Sequence, residues 1–262
     1  MTILSVVNQK GGVGKTTTVL NISAALAVLD YKILVIDFDP QGNLSSGLGI
    51  NSNDRSQKTI YDVLNNSINI NDAIFKTKLN NLDIIVSDIN LSAFEIEISN
   101  EENREFFLKN VISQLNTKYD YIIIDCPPSL GFLTINSLAA SDYVLIPLQC
   151  EFFALEGLSH LLETLERIKI SFNEKLSILG IVLTMYDKRN KLTEQVEKDV
   201  RECLGDLVYN TVIPRNVKLT ESTSFGIPTI IYDQSCTGST AYINFVKEMV
   251  KKIWLKRMIT KS

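Results

Sequence analysis

Thr2-Ile3-Leu4-Ser5-Val6-Val7-Asn8-Gln9-Lys10-Gly11-Gly12-Val13-Gly14-Lys15-Thr16-Thr17 is the stretch that decides the fold. An aliphatic run of strand length, residues 2–7, opens into a glycine-rich loop and then into a helical pattern over residues 15–29. Glycines let successive backbone N–H groups turn inward around an anion, and the helix N-terminus adds partial positive charge. Lys15 adds a full charge, and the Thr16 hydroxyl is of the type that reaches a magnesium ion bound to phosphates. The loop departs from the common G-x-x-x-x-G-K-[ST] spacing, because Gln9 stands at the first glycine position and Lys10 follows it. Lys10 starts the loop, where its side chain reaches outward more easily than back onto phosphates held by its own backbone.

Working outward, short Val/Ile/Leu runs alternate with longer helical patterns, which is the signature of repeated βαβ units. Strands are expected at residues 2–7, 32–37, 82–86, 121–125, 143–147, 178–184, 207–213 and 229–232. Their lack of polar alternation suits a mostly parallel sheet covered on both faces. Helices are expected at residues 15–29, 103–115, 156–170, 193–204 and 241–256. The expected fold class is therefore α/β: a P-loop NTPase-type three-layer sandwich, with a twisted sheet of about eight strands and helices on both faces. Residues 1–262 read as one domain, with a basic C-terminal helix over about 240–258. Residues 51–81 are polar and Asn-rich and read as an irregular excursion.

Two acidic strand ends support the phosphate reading. Val35-Ile36-Asp37-Phe38-Asp39-Pro40 and Tyr121-Ile122-Ile123-Ile124-Asp125 place carboxylates at the strand C-termini, where ligands of open α/β sheets sit. Aspartates after strands also form turns, but beside this loop Asp125 reads as a magnesium partner and Asp39 as a water-positioning group.

Composition narrows the rest. Hydrophobic residues make up 45% and charged residues 21%, the balance of a chain that folds. The longest apolar runs are strand-sized, far below the roughly 20 residues needed to span a bilayer. The opening residues show no charged stretch leading into a cleavable apolar segment, which argues against export and for a cytoplasmic protein. Cys126, Cys150, Cys203 and Cys236 have no CxxC spacing and read as reduced, mostly buried thiols. His160 receives no chemical role. Net charge is −4, yet the tail is basic: Lys247, Lys251, Lys252, Lys256, Arg257 and Lys261 face one acidic residue, Glu248.

With these residues in place the chain resembles the ParA/MinD group of deviant Walker A ATPases, and within it the short ParA proteins. The likeness runs through Lys10 to Thr17, Asp37-Phe38-Asp39-Pro40-Gln41-Gly42-Asn43, Asp125-Cys126-Pro127-Pro128-Ser129, Leu183-Thr184-Met185-Tyr186-Asp187 and Val212-Ile213-Pro214-Arg215-Asn216-Val217. The resemblance implies ATP and Mg²⁺ as ligands, held by Lys10, Gly11, Gly12, Val13, Gly14, Lys15, Thr16 and Thr17. Met185, Pro214 and Asn216 would lie at the base, and Thr16 and Asp125 would serve the metal. Lys10, Lys15 and Asp39 would carry catalysis, with Lys10 reaching the phosphates of a second subunit in an ATP-dependent homodimer. It further implies nonspecific DNA binding through Arg189, Lys218, Lys188 and Arg215, with Lys191 nearby, and association with the nucleoid in the ATP state. A ParB-like centromere-binding partner would stimulate hydrolysis. Ser235 to Ser239 lack the basic residue that family members often carry there.

Three rival readings share the loop. A MinD-like membrane cycle would use Val246, Met249, Val250, Ile253 and Trp254 as the apolar side of a terminal amphipathic helix; a helix packed on the sheet explains the same spacing. A ParA-like positioner of protein cargo would keep the switch and change the load. An iron–sulfur reductase would need paired cluster cysteines, which the scattered cysteines do not offer.

Overall fold

The computed structural model describes residues 1–55 and 58–261. Seven strands form one sheet: β1 (Thr2–Val6), β2 (Ile33–Asp37), β3 (Ile74–Lys76), β4 (Leu82–Ile85), β5 (Tyr121–Asp125), β6 (Tyr143–Gln149) and β7 (Ser177–Thr184). Their order is β3-β4-β2-β5-β1-β6-β7, parallel throughout except for the edge strand β3. The helices are α1 (Lys15–Val28), α2 (Asn43–Gly47), α3 (Ile60–Leu64), α4 (Leu91–Glu97), α5 (Phe107–Ile112), α6 (Phe132–Ala140), α7 (Ala154–Phe172), α8 (Lys191–Leu204), α9 (Val217–Ser224), α10 (Thr229–Tyr232) and α11 (Thr237–Lys261).

The uninterrupted aliphatic runs follow from this layering. In β5, Ile122 and Ile124 enter one core while Tyr121 and Ile123 enter the other; in β2, Leu34 and Ile36 oppose Ile33 and Val35. The first core is closed by α3 to α8, with Phe94, Leu133 and Leu161 among its buried residues. The second is closed by α1, α2, α9, α10 and α11, with Leu20, Leu44 and Phe245. Because α1 and α6 leave adjacent strands for opposite faces, a crevice opens between the carboxyl ends of β1 and β5. That is where the connections of a doubly wound sheet diverge and its ligands bind.

Several expectations change. Residues 207–213 form no strand: they make one bridge to the sheet edge, at Val208 with Ile181, and a second follows at Pro214 with Tyr186. Two amides between the bridges find another acceptor: Asn210 N and Thr211 N donate to the two carboxylate oxygens of Glu248 at 2.8 and 3.0 Å. Residues 229–232 are helical, since Pro228 stands at the start of a turn whose carbonyl accepts from Ile231 N and Tyr232 N. The sheet therefore has seven strands, one of them the unforeseen β3, whose three residues are too few for periodicity to register. The expected helix at 103–115 divides into a 3₁₀ turn at Arg104–Phe106 and α5, while α7 and α11 extend beyond their expected bounds. The 51–81 segment is better formed than expected: it holds a 3₁₀ turn at Ser52–Arg55, α3 capped by a Thr59–Asp62 box, and β3. Residues 56 and 57 of that segment, Ser262 and the Lys261 side chain lie outside what is described.

Cys126 and Cys150 are buried as expected, but Cys203 is exposed and Cys236 half-buried. Among the described residues no helix is long and apolar enough to cross a membrane. The apolar side of α11 is committed to the core: Val246, Met249 and Ile253 are buried, whereas Trp254 faces solvent. Lysines at its rim also return to the fold. Lys252 Nζ donates to Asp206 O at 2.6 Å and sits over the Tyr209 ring, and Lys256 Nζ donates to Ser177 Oγ and Ile178 O.

Candidate nucleotide site

The loop between β1 and α1 takes its shape from two glycines with left-handed backbone, Gly12 at φ 76° and Gly14 at φ 87°. Gly14 is the N-cap of α1 and supplies no side-chain acceptor, so the first helical amides remain open to an anion. A Cβ on Gly11 or Gly12 would meet nothing within 4 Å, so that side of the loop faces free space. The far side is tied down. Val13 is buried, Thr184 Oγ1 donates to Val13 O at 2.8 Å, and Asn8 Nδ2 donates to Pro147 O at 2.7 Å.

The two lysines of the loop differ. Lys15 is 7% exposed, and its Nζ donates to Asn8 O at 3.0 Å and Lys10 O at 3.2 Å. Burial pulls its pKa down, opposed by the charges of Asp125, Cys126 and Asp39. Lys10 points away from the loop, its side chain 53% exposed, and pairs with Glu151.

The acidic residues converge from three segments. Thr16 Oγ1 donates to Asp125 Oδ2 at 2.7 Å across the β1–β5 crevice. The other Asp125 oxygen, Oδ1, is buried without a hydrogen-bond partner. An unpartnered carboxylate oxygen beside a hydroxyl with free lone pairs is a donor set that fits a hard divalent cation, directly or through water. Burial, with Asp37 close by, pushes the Asp125 carboxyl well above the usual range against the Thr16 hydrogen bond. Asp37 lies beside it in register, and burial raises its carboxyl to about 6 although Ser45 donates to it from both N and Oγ. Asp39 is 8% exposed, and its Oδ1 accepts from Gln41 N at 3.0 Å.

A well of about 450 Å³ joins these groups; Gly11, Gly12, Lys15, Thr16 and Asp39 line it. A smaller slot of about 160 Å³ continues from it, lined by Met185, Pro214, Asn216, Leu219 and Tyr242, and the two share Gly14, Thr17 and Met185. The larger, more open well thus runs into a smaller, more enclosed slot suited to a base. Asn216 is half committed to structure: its Oδ1 caps α9 at Lys218 N, and its Nδ2 donates to Thr237 Oγ1.

The basic residues expected to meet DNA fall into two groups. Lys188, Arg189, Lys191 and Arg215 are exposed; Arg189 forms a two-pronged pair with Asp187 at 2.9 Å for each prong. Lys218 is set apart on α9, paired with Glu221 at 2.9 Å and lying over the Tyr232 ring.

Sequence reasoning missed Asp37 as a structural anchor and missed Arg55 and Ser87 altogether, which lie far along the chain and converge beneath residues 39–46. The strand-end position of Asp37 was visible; nothing local marked the other two.

Fold and site together define a P-loop nucleotide hydrolase of the doubly wound α/β class. A family model described as an AAA domain matches residues 1–178. The chain is 50% identical over 252 residues to the chromosome partitioning protein ParA of Caulobacter vibrioides, covering 95% of this chain and 94% of that one. It is 49% identical over 246 residues to the chromosome-partitioning ATPase Soj of Treponema pallidum, covering 94% and 96%. Among solved structures it is similar to cobyrinic acid a,c-diamide synthase from Mycobacterium smegmatis with bound ATP analog and magnesium. That likeness has a TM-score of 0.85 at 33% identity and covers 96% of this chain and 94% of that one. The chain belongs to the ParA/Soj family of chromosome-partitioning ATPases.

Proposed function

We infer that this ATPase binds Mg²⁺-ATP in the joined well and slot and hydrolyses it as a switch between DNA-bound and free states. The observation that carries this reading is the division between two lysines of one loop. Lys15 is buried with its ammonium on its own loop's carbonyls, where phosphate oxygens would replace them. Lys10 is half-exposed and directed outward, as a residue serving a second subunit's phosphates must be. Nucleotide would therefore assemble a homodimer, with Lys10 exchanging Glu151 for the partner's triphosphate.

Thr16 and Asp125 would hold the metal, which when bound neutralises charge on the phosphate oxygens. Asp39 lines the same well and would orient the attacking water, while the open amides of residues 11–17 and the two lysines stabilise the developing charge. Met185 and Pro214 would flank the base, with Asn216 at the slot wall. We read residues 1–262 as one ATPase domain, because α11 returns from the C-terminus to the core that covers β1.

Dimerisation would double a cationic surface built from Lys188, Arg189, Arg215 and Lys218. Phosphate contacts of this kind are sequence-independent and salt-sensitive. A ParB-like partner would then stimulate hydrolysis and release the dimer. Burial of Val246, Met249 and Ile253 supports DNA over a membrane surface as the site of attachment.

The test is analytical sizing and DNA retardation with a nonhydrolysable ATP analogue, at two salt concentrations. Lys10→Ala should bind nucleotide yet stay monomeric, and Asp39→Ala should remain a DNA-bound dimer with ATP. Analogue-dependent dimerisation by Lys10→Ala, or ATP-dependent binding to anionic vesicles without retardation of DNA, would overturn the reading.

A further inference from the structure

The residues that carry Asp39 form an arch, from Asp37 at the end of β2 to Ser46 in α2. Its upper part is a turn: Gly42 N donates to Asp39 O at 2.9 Å. Its feet are fixed from below. Ser45 N and Oγ donate to Asp37, and Ser87 N donates to Ser45 Oγ at 3.2 Å.

Arg55 closes this network. It is 7% exposed, and among the described residues it forms no ion pair with a carboxylate. Its guanidinium donates instead to Gly42 O at 3.3 Å, Ser87 O at 3.2 Å, Ser46 Oγ at 2.8 Å and twice to Ile50 O, at 3.2 and 2.7 Å. Asp37 and Asp88 act on its charge from beyond pairing distance, so burial of this cation stays costly, and holding a loop of carbonyls is a use that only a rigid five-donor fork serves well. The contact is close: a Cβ on Gly42, whose φ is 62°, would come within 2.4 Å of Arg55 Nη1. Ser46, one of the groups Arg55 grips, lines the same well as Lys15 and Asp39.

We propose that Arg55 is a positioning residue for ATP hydrolysis, pinning the Gly42 end of the arch so that Asp39 stands at a fixed place in the phosphate well. The proposal rests on the reading of Asp39 as the water-orienting group. Arg55 is not among the residues that line the well; it acts through the arch. Displacing a reacting group by about 1 Å costs on the order of 100-fold in rate, so a loosened arch should appear in turnover before it appears in binding.

The experiment uses the full chain with Arg55→Met, Arg55→Lys and Arg55→Ala. For each, kcat and the affinity for a fluorescent nonhydrolysable ATP analogue are measured, alone and in an Asp39→Ala background. Arg55→Met should lower kcat by about 10- to 100-fold with analogue affinity within about threefold. Arg55→Lys, which keeps the charge and loses the fork, should fall between that variant and the native chain. Millimolar guanidinium should restore part of the Arg55→Ala turnover. In the Asp39→Ala background Arg55→Met should cost nothing further. Native kcat in Arg55→Met and Arg55→Lys, a parallel loss of analogue affinity, or multiplicative losses in the double variant would overturn this proposal alone. Native turnover by Asp39→Ala itself would overturn the reading on which it rests. Should Arg55→Met fail to fold, Arg55→Lys and the guanidinium rescue decide the matter.

Discussion

The phosphate loop at residues 10–17 and the arch at residues 37–46 face each other across one well, yet they are held in opposite ways. The loop is shaped mostly from within, by two left-handed glycines and by the strand and helix that flank it, with Thr184 as one remote tie. The arch is shaped from outside, by Ser87 and Arg55, 42 and 13 residues from the atoms they grip. A loop that must wrap an anion with its own amides cannot spend them on side chains, so its order comes from local backbone preference. A segment that must hold one carboxylate at one place has no such limit and recruits side chains from elsewhere.

The largest effect expected from this contrast is in the loop. Lys15→Ala removes the only buried cation the loop offers, and truncating such a group costs about 2–5 kcal/mol, or roughly 30- to several-thousand-fold in nucleotide affinity. The arch should be untouched, so the variant's unfolding midpoint should stay near that of the native chain. An affinity within a few-fold of native would break the comparison.

Beneath the arch, Asp37 should make stability depend on pH. Its carboxyl titrates near 6 in the folded protein against an ordinary 3.8, so the folded state holds the proton more tightly. The contribution is fully present below the unfolded value and is lost as pH rises through about 6, with Asp125 displaced in the same direction. For a shift of this size the loss approaches about 3 kcal/mol. Urea midpoints of the nucleotide-free native chain and Asp37→Asn, taken below and above that window, should show the native midpoint falling relative to the variant's as pH rises; a constant difference would contradict it.

Alanine at two glycines sharpens the comparison further. Both have positive φ and cost about 1 kcal/mol from backbone strain, but Gly42→Ala also drives a Cβ into Arg55, while the Gly12 Cβ enters open space. Gly42→Ala should therefore lose about 2–3 kcal/mol of stability against about 1 for Gly12→Ala. In nucleotide affinity the order should reverse. The smallest effect belongs to Thr184→Val, which removes the one bond from β7 to Val13 O. About 1 kcal/mol, or about fivefold in affinity, is the value of such a bond, readable by calorimetry of analogue binding.

Legibility divides along the same line. The placement of Lys15 and Thr16 was legible from a strand, a glycine turn and a helix in immediate succession, and that of Asp39 and Asp125 from their position at strand ends. The same reasoning failed at residues 207–213 and 229–232. Their β-branched composition reads as strand, but Glu248 takes the amides of the first and Pro228 starts a helical turn in the second. The interior of 51–81 was unreadable for a related reason: its polar residues mark no period, and the partners of Arg55 include Gly42 O and Ser87 O, 13 and 32 residues away.

By itself the sequence determined a doubly wound sheet, a phosphate loop after its first strand and carboxylates at two strand ends, since all three are set by short-range pattern and backbone chemistry. The tertiary structure alone decided that Lys10 pairs with Glu151 while Lys15 is buried on its own loop's carbonyls, and that a buried arginine clamps the arch holding Asp39. Those outcomes depend on which groups meet across tens of residues and on what burial leaves for each polar atom to bond.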